Sequence, residues 1–316
     1  MRVATSTFYD STRYAIQLAQ SKLIRAQTEI SSNSKLQTAA DNPTDAVQVL
    51  RIGQLLSENT QYRNASGIAK NRLELSETAL SRMNDLVTRA RELAVQLGNG
   101  SLSTGARQGI GAEASSLLQS MVALANTQDA DGARMFAGNY TGTTPVVQDG
   151  TGWLYEGDAT TRLIRVSNTR QLPSATPGSS IFFNSGRTIT YTDGTNASAT
   201  TQDSVFAALQ DLSTLAQTPQ PASVGSQVQD IVGRLAGFQD KLLTERSNVG
   251  ALQNEIDSVQ NGLDDSDFSL KGLQSALKDT DLAEAITRFT QQQTVLQAAQ
   301  QSFTKIQGLS LFNYLQ

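Results

Sequence analysis

The chain contains no cysteine and no histidine. Disulfides, thiolate nucleophiles, structural Cys/His zinc sites and imidazole acid–base catalysis are therefore excluded. Carboxylates, Lys, Tyr, Ser and Thr are the side chains left for chemistry, and no cofactor or metal is expected. A chain without cysteine fits a reduced cytosolic protein, and equally one that crosses an export channel unfolded. Charge is also sparse, at 17% of 316 residues with a formal net charge of −4. That balance offers no basic stripe for nucleic acid. Gln, Ser, Thr, Asn and Ala fill the surface instead. Uncharged polar groups lose less on desolvation than charges, which suits packing against copies of the same chain. Long apolar runs are missing too. Nothing approaches the ~20 residues of a membrane span, so no membrane insertion is expected. The opening ten residues hold no apolar run after Arg2, which argues against a Sec-type signal peptide.

What the chain does have is helical periodicity at both ends. Residues 5 to 36 place Ile16, Ala19, Leu23, Ala26 and Ile30 at alternating steps of three and four, a narrow amphipathic seam. Ser31–Ser34 and Asp41–Asp45 interrupt it, and Asn42 followed by Pro43 reads as an N-cap and first helical residue. The helix starting there carries Ala79, Met83, Leu86, Ala90, Leu93 and Leu97 in heptad register and stops at Gly98–Gly100. A third helix follows with Ile110, Ala114, Leu117, Met121 and Leu124. The longest seam is Val228, Ile231, Leu235, Phe238, Leu242, Glu245, Val249, Leu252, Ile256, Val259 and Leu263, unbroken at three-four spacing. Asp264–Asp267 reads as an acidic turn that ends it. A last helical pattern carries Leu282, Ile286, Phe289, Leu296, Phe303 and Ile306, and closes on the apolar tail Leu309, Leu311, Phe312, Tyr314 and Leu315. Chain ends are usually polar and frayed; an apolar one needs cover from this chain or another.

The centre differs in kind. Turn clusters at Asn139–Gly142, Asp149–Gly152, Glu156–Asp158, Thr176–Gly178 and Thr192–Thr195 separate short β-prone runs at 153–155, 162–166, 180–183 and 188–191. The expected fold class is therefore mainly α with a β insertion. Its form would be an antiparallel, coiled-coil-like rod of long helices, with the terminal helices at one end and a small β domain at the other. The expected divisions are 1–42 (N-terminal assembly helix and loop), 43–136 (first rod part), 137–203 (variable β-rich domain), 204–267 (second rod part) and 268–316 (C-terminal assembly helix).

The stretch Gln27–Ala46, with its Ile-Ser-Ser-Asn-Ser-Lys core and Asp-Asn-Pro turn, resembles the N-terminal signature of the bacterial flagellin superfamily. The stretch Asp279–Leu315 resembles the C-terminal signature of the branch found at the hook–filament junction. The likeness covers about 1–135 and 204–316. It departs at Asn33, where Gly is frequent, and at Gln37, where a β-branched residue or Arg is frequent. The resemblance implies a structural component of the flagellum with no enzymatic activity. It implies type III export from the cytoplasm and an extracellular place at the junction. There the chain would form a homo-oligomer distal to the first hook-associated protein, as an adaptor on which flagellin polymerises. A cytosolic export chaperone would hold the C-terminal segment beforehand. The terminal helices would be disordered in the monomer and order on assembly.

Other readings of single motifs are weaker. Asp264–Asp267 lacks the ligand spacing of a calcium loop, and Gly98–Gly105 lacks the Lys-Ser/Thr pair of a phosphate loop. Trp153 and Tyr155 read as a core anchor before a sugar platform. Four N-glycosylation tripeptides begin at Asn64, Asn99, Asn139 and Asn196, a pattern common by chance in such a composition. The run Gln291, Gln292, Gln293, Gln297, Gln300 and Gln301 reads either as a channel lining or as a solvated helix face. Three rival functions remain: a filament-forming flagellin, a generic coiled-coil scaffold, and a central-domain glycosidase using two of Asp149, Glu156, Asp158, Asp193 and Asp203.

Overall fold

The computed structural model describes residues 2–150, 152–192, 198–218 and 224–312; within these, side chains are described except at 2–6, 8, 185–202 and 306–312. The elements run α1 (Arg2–Ser32), α2 (Pro43–Leu97), α3 (Thr104–Ala125), β1 (Val146–Asp149), β2 (Gly152–Tyr155), β3 (Arg162–Arg165) and β4 (Gln171–Ala175). They continue with α4 (Gly178–Phe182), β5 (Phe183–Thr192), β6 (Ser198–Ser204), α5 (Val205–Gln217), α6 (Val224–Lys278) and α7 (Leu282–Phe312). Two compact units result. One holds Met1–Glu58 with Asp264–Gln316, and the other holds Asn59–Leu263.

The second unit contains most of the core. Helices α2 and α6 run antiparallel within it, as their cross-links show: Lys70 Nζ to Asp257 Oδ1 at 2.6 Å, Arg246 Nη2 to Glu77 Oε1 at 2.7 Å, and Gln239 Nε2 to Thr88 Oγ1 at 3.1 Å. Along these helices the two heptad seams bury Met83, Leu93, Leu97, Leu235, Phe238, Leu242 and Ile256. Helices α3 and α5 pack closely because Gly111 has no side chain: a Cβ there would lie 2.9 Å from Gln217 Cγ and 3.2 Å from Ser213 O. Arg107, buried on α3, donates from Nη2 to Leu215 O at 2.9 Å and so satisfies a carbonyl at the end of α5. Ser103 and Ser204 cap α3 and α5, each accepting from the backbone N–H three residues on.

The strands form three separate antiparallel pairs, β1–β2, β3–β4 and β5–β6. The sequence suggested one small β domain; the pairs instead close onto the helices. Asn126, at the end of α3, exchanges two hydrogen bonds with the Val146 backbone. Trp153 is 7% exposed, packs on Phe206 of α5 and donates from Nε1 to Gln210 at 2.7 Å. Tyr155 donates its hydroxyl to Phe136 O at 2.7 Å, and burial pushes its phenol pKa up to about 12. Two-stranded pairs are marginal in water, and packing against helices supplies what they lack. Arg234 of α6 makes the other anchor, reaching Asp203 at 2.7 Å and Asp211 at 2.5 Å from a guanidinium only 2% exposed.

Two expectations are corrected. Ser180–Phe183 is not a strand: residues 178–182 form the single helical turn α4, and β5 begins at Phe183. Asp264–Asp267 does not end the long helix, which continues to Lys278. The burial pattern explains this. The three-four seam runs on from Leu263 through Asp267, Leu270, Gln274 and Leu277, with polar side chains at two inward positions. An Asp inside a helix costs only about 0.7 kcal/mol relative to Ala, too little to stop a helix held by packing.

Candidate functional site

The terminal unit holds the residues that the sequence marks for assembly. Helix α1 ends with a reversal built on Asn33. Its φ of 49° is left-handed. Ser34 N–H bonds to Glu29 O at 3.3 Å and Asn33 N–H to Ile30 O at 3.4 Å. This pair of bonds is the Schellman closure, which favours Gly and next Asn at that position. The departure from Gly at residue 33 therefore leaves the turn intact. The loop beyond it is held by Asp41, whose Oδ2 accepts from Thr38 N at 2.9 Å and Gln37 N at 3.1 Å, while Oδ1 meets Arg25. The Thr38 backbone N–H, then that of Gln37 and the Arg25 guanidinium, hold the Asp41 carboxyl below its ordinary value of 3.8 despite some desolvation. Asn42 then caps α2, accepting from Asp45 N at 3.2 Å.

A second reversal lies between α6 and α7, at Asp279–Asp281. Asp281 Oδ1 accepts from Ala283 N at 2.9 Å and Glu284 N at 3.2 Å, an N-cap for α7. The two reversals are joined. Ser34 and Asp279 form a β-bridge. Lys35 N–H bonds to Lys278 O at 2.8 Å, and Lys35 Nζ to Ala276 O at 2.7 Å. Glu29 of α1 takes Arg288 Nη2 at 2.5 Å and a hydrogen bond from Thr280. A charged cleft of about 580 Å³ opens beside this joint, lined by Lys22, Arg25, Glu29, Lys35, Glu284 and Arg288 among others. Both charge signs are present, and among the described residues no group of acidic side chains is arranged to hold a metal.

From this joint α1 and α7 run packed together. On α1 the positions that lose solvent include Thr12, Ile16, Ala19, Leu23, Ala26 and Ile30. On α7 they are Ala285, Phe289, Gln292, Leu296, Ala299 and Phe303. Each helix thus contributes two interleaved seven-residue rows, one with small side chains at two of its three positions and one of large apolar ones, and Tyr9 meets Phe303 edge-on at 6.1 Å between ring centroids. Of the residues expected on the α7 seam, Phe289, Leu296 and Phe303 lie on this face. Leu282 and Ile286 do not: they are 46% and 52% exposed. The small residues Ala285 and Ala299 hold the seam instead, as Ala19 and Ala26 do on α1, and a sequence reading weighted toward large side chains passes over them. The side chains of Ile306, Leu309, Leu311 and Phe312, and all of Tyr314 and Leu315, lie outside the described residues.

Burial in this unit is inverted relative to the other. Among the described residues its buried apolar ones are Ala19, Ala26, Ile52 and Ala285, three of them alanine. Its exposed large apolar residues include Tyr14, Ile24, Val47, Leu50, Phe268, Leu273, Leu282, Ile286 and Val295. Single exposed apolar side chains are ordinary, but many large apolar side chains face water in a unit that fully buries few of them, the pattern of a surface available for association.

The expected rod-core residues lie in the other unit. Met83, Leu93, Leu97, Met121, Val228, Ile231, Leu235, Phe238, Leu242, Val249, Ile256 and Leu263 are buried; Leu86, Leu117, Leu124, Leu252 and Val259 are half-buried. Leu80, Val87 and Ala94 are fully buried beside them and widen the α2 face beyond a two-position seam. Of the central carboxylates, Asp203 is buried against Arg234 and Asp158 holds Thr160, Asp149 and Glu156 are exposed, and Asp193 lies outside the described residues.

Comparison with known proteins bears on both ends. Residues 3–141 match the model of the bacterial flagellin N-terminal helical region, and residues 237–315 that of the C-terminal helical region. The chain is 29% identical to the flagellar hook-associated protein 3 of Escherichia coli K12 over 99% of each chain. It is 26% identical to a 31.3 kDa flagellar filament core protein of Treponema maltophilum, over 89% of this chain and 86% of that one. The crystal structure of the flagellar junction protein FlgL from Legionella pneumophila shares the fold, with a TM-score of 0.59 at 18% identity, covering 73% of this chain and 100% of that one.

Proposed function

The chain belongs to the bacterial flagellin family of flagellar structural proteins, and from that premise we propose that it is the adaptor of the hook–filament junction. The observation that carries this is the end-to-end match to a hook-associated protein 3, which includes the central segment; the filament protein compared with it matches a smaller share of both chains. In this reading the chain is exported unfolded from the cytoplasm by the type III apparatus, with its C-terminal segment held by a chaperone. Outside the cell it forms a homo-oligomer distal to the first hook-associated protein, and flagellin polymerises on it. It catalyses no reaction.

The mechanism is association through the terminal unit. Helices α1 and α7 pair over a seam of alanines and half-buried larger residues, and burial of so little area stabilises them weakly at about 25 cal/mol per Å². Neighbouring subunits then cover the outward residues, among them Leu282 and Ile286, and the ordering cost of the helices is offset at that moment. The same demand for cover explains the chaperone, since an uncovered apolar terminal segment aggregates. Among the described residues no helix is long and apolar enough to cross a membrane.

Electron microscopy of purified protein separates this reading from the filament one. Incubated alone, the protein should stay short of filaments. Added to hooks that carry the first hook-associated protein, it should bind their ends and let flagellin extend them. Long filaments made from this protein alone would establish a flagellin instead.

A further inference from the structure

The dipeptide Asn-Gly occurs twice in the chain, at Asn99–Gly100 and at Asn261–Gly262, in opposite settings. Asn261 and Gly262 lie inside α6, where the helical ladder fixes the backbone. Asn99 and Gly100 are exposed and lie in the turn between α2 and α3. There the Asn99 side-chain carbonyl accepts two hydrogen bonds, from Ser101 N at 3.1 Å and Ser101 Oγ at 2.8 Å. Asn99 O also accepts from Leu102 N at 3.3 Å, which closes the turn.

We infer that Asn99 is a self-modification site, converting to aspartate and isoaspartate through a succinimide formed with Gly100. The Gly100 nitrogen attacks Asn99 Cγ and gives its proton to water. Negative charge develops on Oδ1 in the tetrahedral intermediate, at the atom to which both Ser101 donors point, so those donors hold it more tightly than the neutral carbonyl. The Cγ–Nδ2 bond breaks, and nitrogen leaves as ammonia after taking up a proton. Water then opens the five-membered ring at either carbonyl. The net change is one water consumed and one ammonia released, with no redox step. Gly100 suits the ring because it has no Cβ to crowd the attack. Ring opening at one carbonyl leaves an ordinary aspartate at this position; at the other it leaves isoaspartate, which adds a methylene to the connection between α2 and α3. Both add a negative charge just past the C-terminus of α2, the end where a helix disfavours anions. The chain would then carry an irreversible mark of its age at one defined turn.

The test is incubation of the folded full-length protein at mildly alkaline pH, followed by tryptic peptide mass spectrometry. Trypsin places the two sites on separate peptides, Glu92–Arg107 and Ser247–Lys271. The expected result is replacement of the amide by a hydroxyl, with separated aspartate and isoaspartate forms, on the first peptide only. Ser101→Ala should slow the change several-fold, and Gly100→Ala should suppress it. Both substitutions lie in an exposed turn, and circular dichroism of each variant checks that the helices are unchanged. Equal conversion of both peptides, conversion of neither, or a rate unchanged in Ser101→Ala would overturn the inference.

Discussion

Asn33 occupies a left-handed backbone position, with φ of 49°, that most side chains resist. Asn33→Gly should leave the stability of the assembled form unchanged or raise it slightly, while Asn33→Ala should lower it by about 1 kcal/mol; urea dissociation of assemblies of the three proteins checks the order. A few residues on, Asp41 ties Gln37, Thr38 and Arg25. The backbone N–H of Thr38 is the largest reason its pKa lies below 3.8. Because the folded value is depressed, the stabilisation is complete above 3.8 and is lost as pH falls through the lower folded value. Carbon NMR titration of the Asp41 carboxyl should give a midpoint below 3.8; a midpoint at or above it would contradict the clamp. Neither feature is open to pattern reading. The sequence shows an interrupted helix at 31–45, but a left-handed residue and a carboxylate folded back on its own loop leave no periodic trace.

At the scale of elements, α6 teaches most. Its apolar seam is legible from Val228 to Leu263 because nearly every step of three or four meets a large apolar side chain. Read from sequence, the helix ends at the acidic cluster Asp264–Asp267, yet the inward positions continue through Asp267 and Gln274. Periodicity of polarity and periodicity of burial part company there. Ser266→Pro should therefore destabilise the protein by about 3 kcal/mol, as proline does inside a helix. Asp265→Ala, at an exposed position, should raise stability by a few tenths of a kcal/mol. Thermal unfolding followed at the helical band distinguishes these outcomes from a turn at 264–267, which would tolerate proline. The joined reversals make a second element-scale prediction. Glu29 links α1 to both Thr280 and Arg288, so in the assembled protein, where these helices are ordered, Glu29→Ala should raise hydrogen exchange at 280–288 as well as at 25–33. Faster exchange on one side alone would show that the two reversals move independently. On α7 the legible half is Phe289, Leu296 and Phe303; the alanines between them carry no hydrophobic signal strong enough to displace Leu282 and Ile286.

For the whole molecule, the division of the chain into a well-filled unit and an inverted one is what ties structure to function. The first buries large side chains from α2, α3, α5, α6 and the hairpins; the second buries mostly alanine. Limited proteolysis of the monomer should accordingly remove roughly the first 35 and last 40 residues and leave the remainder resistant. The overall class, long helices at both ends around a strand-containing centre, is readable because two helical seams and a cluster of turn signals are long-range patterns. The centre is less so: α4 uses the same Ile181 and Phe182 that a strand would, and only the cradle of Phe136, Phe206 and α5 decides between them. The central claim is that the outward face of α7 is a contact between subunits. The direct measurement is incorporation of the double variant Leu282→Gln, Ile286→Gln into flagella, read by immunogold labelling, with exported monomer and its circular dichroism measured alongside. The account requires a folded, exported monomer that no longer appears at the junction. Labelling at the junction equal to that of the unmodified protein would contradict it.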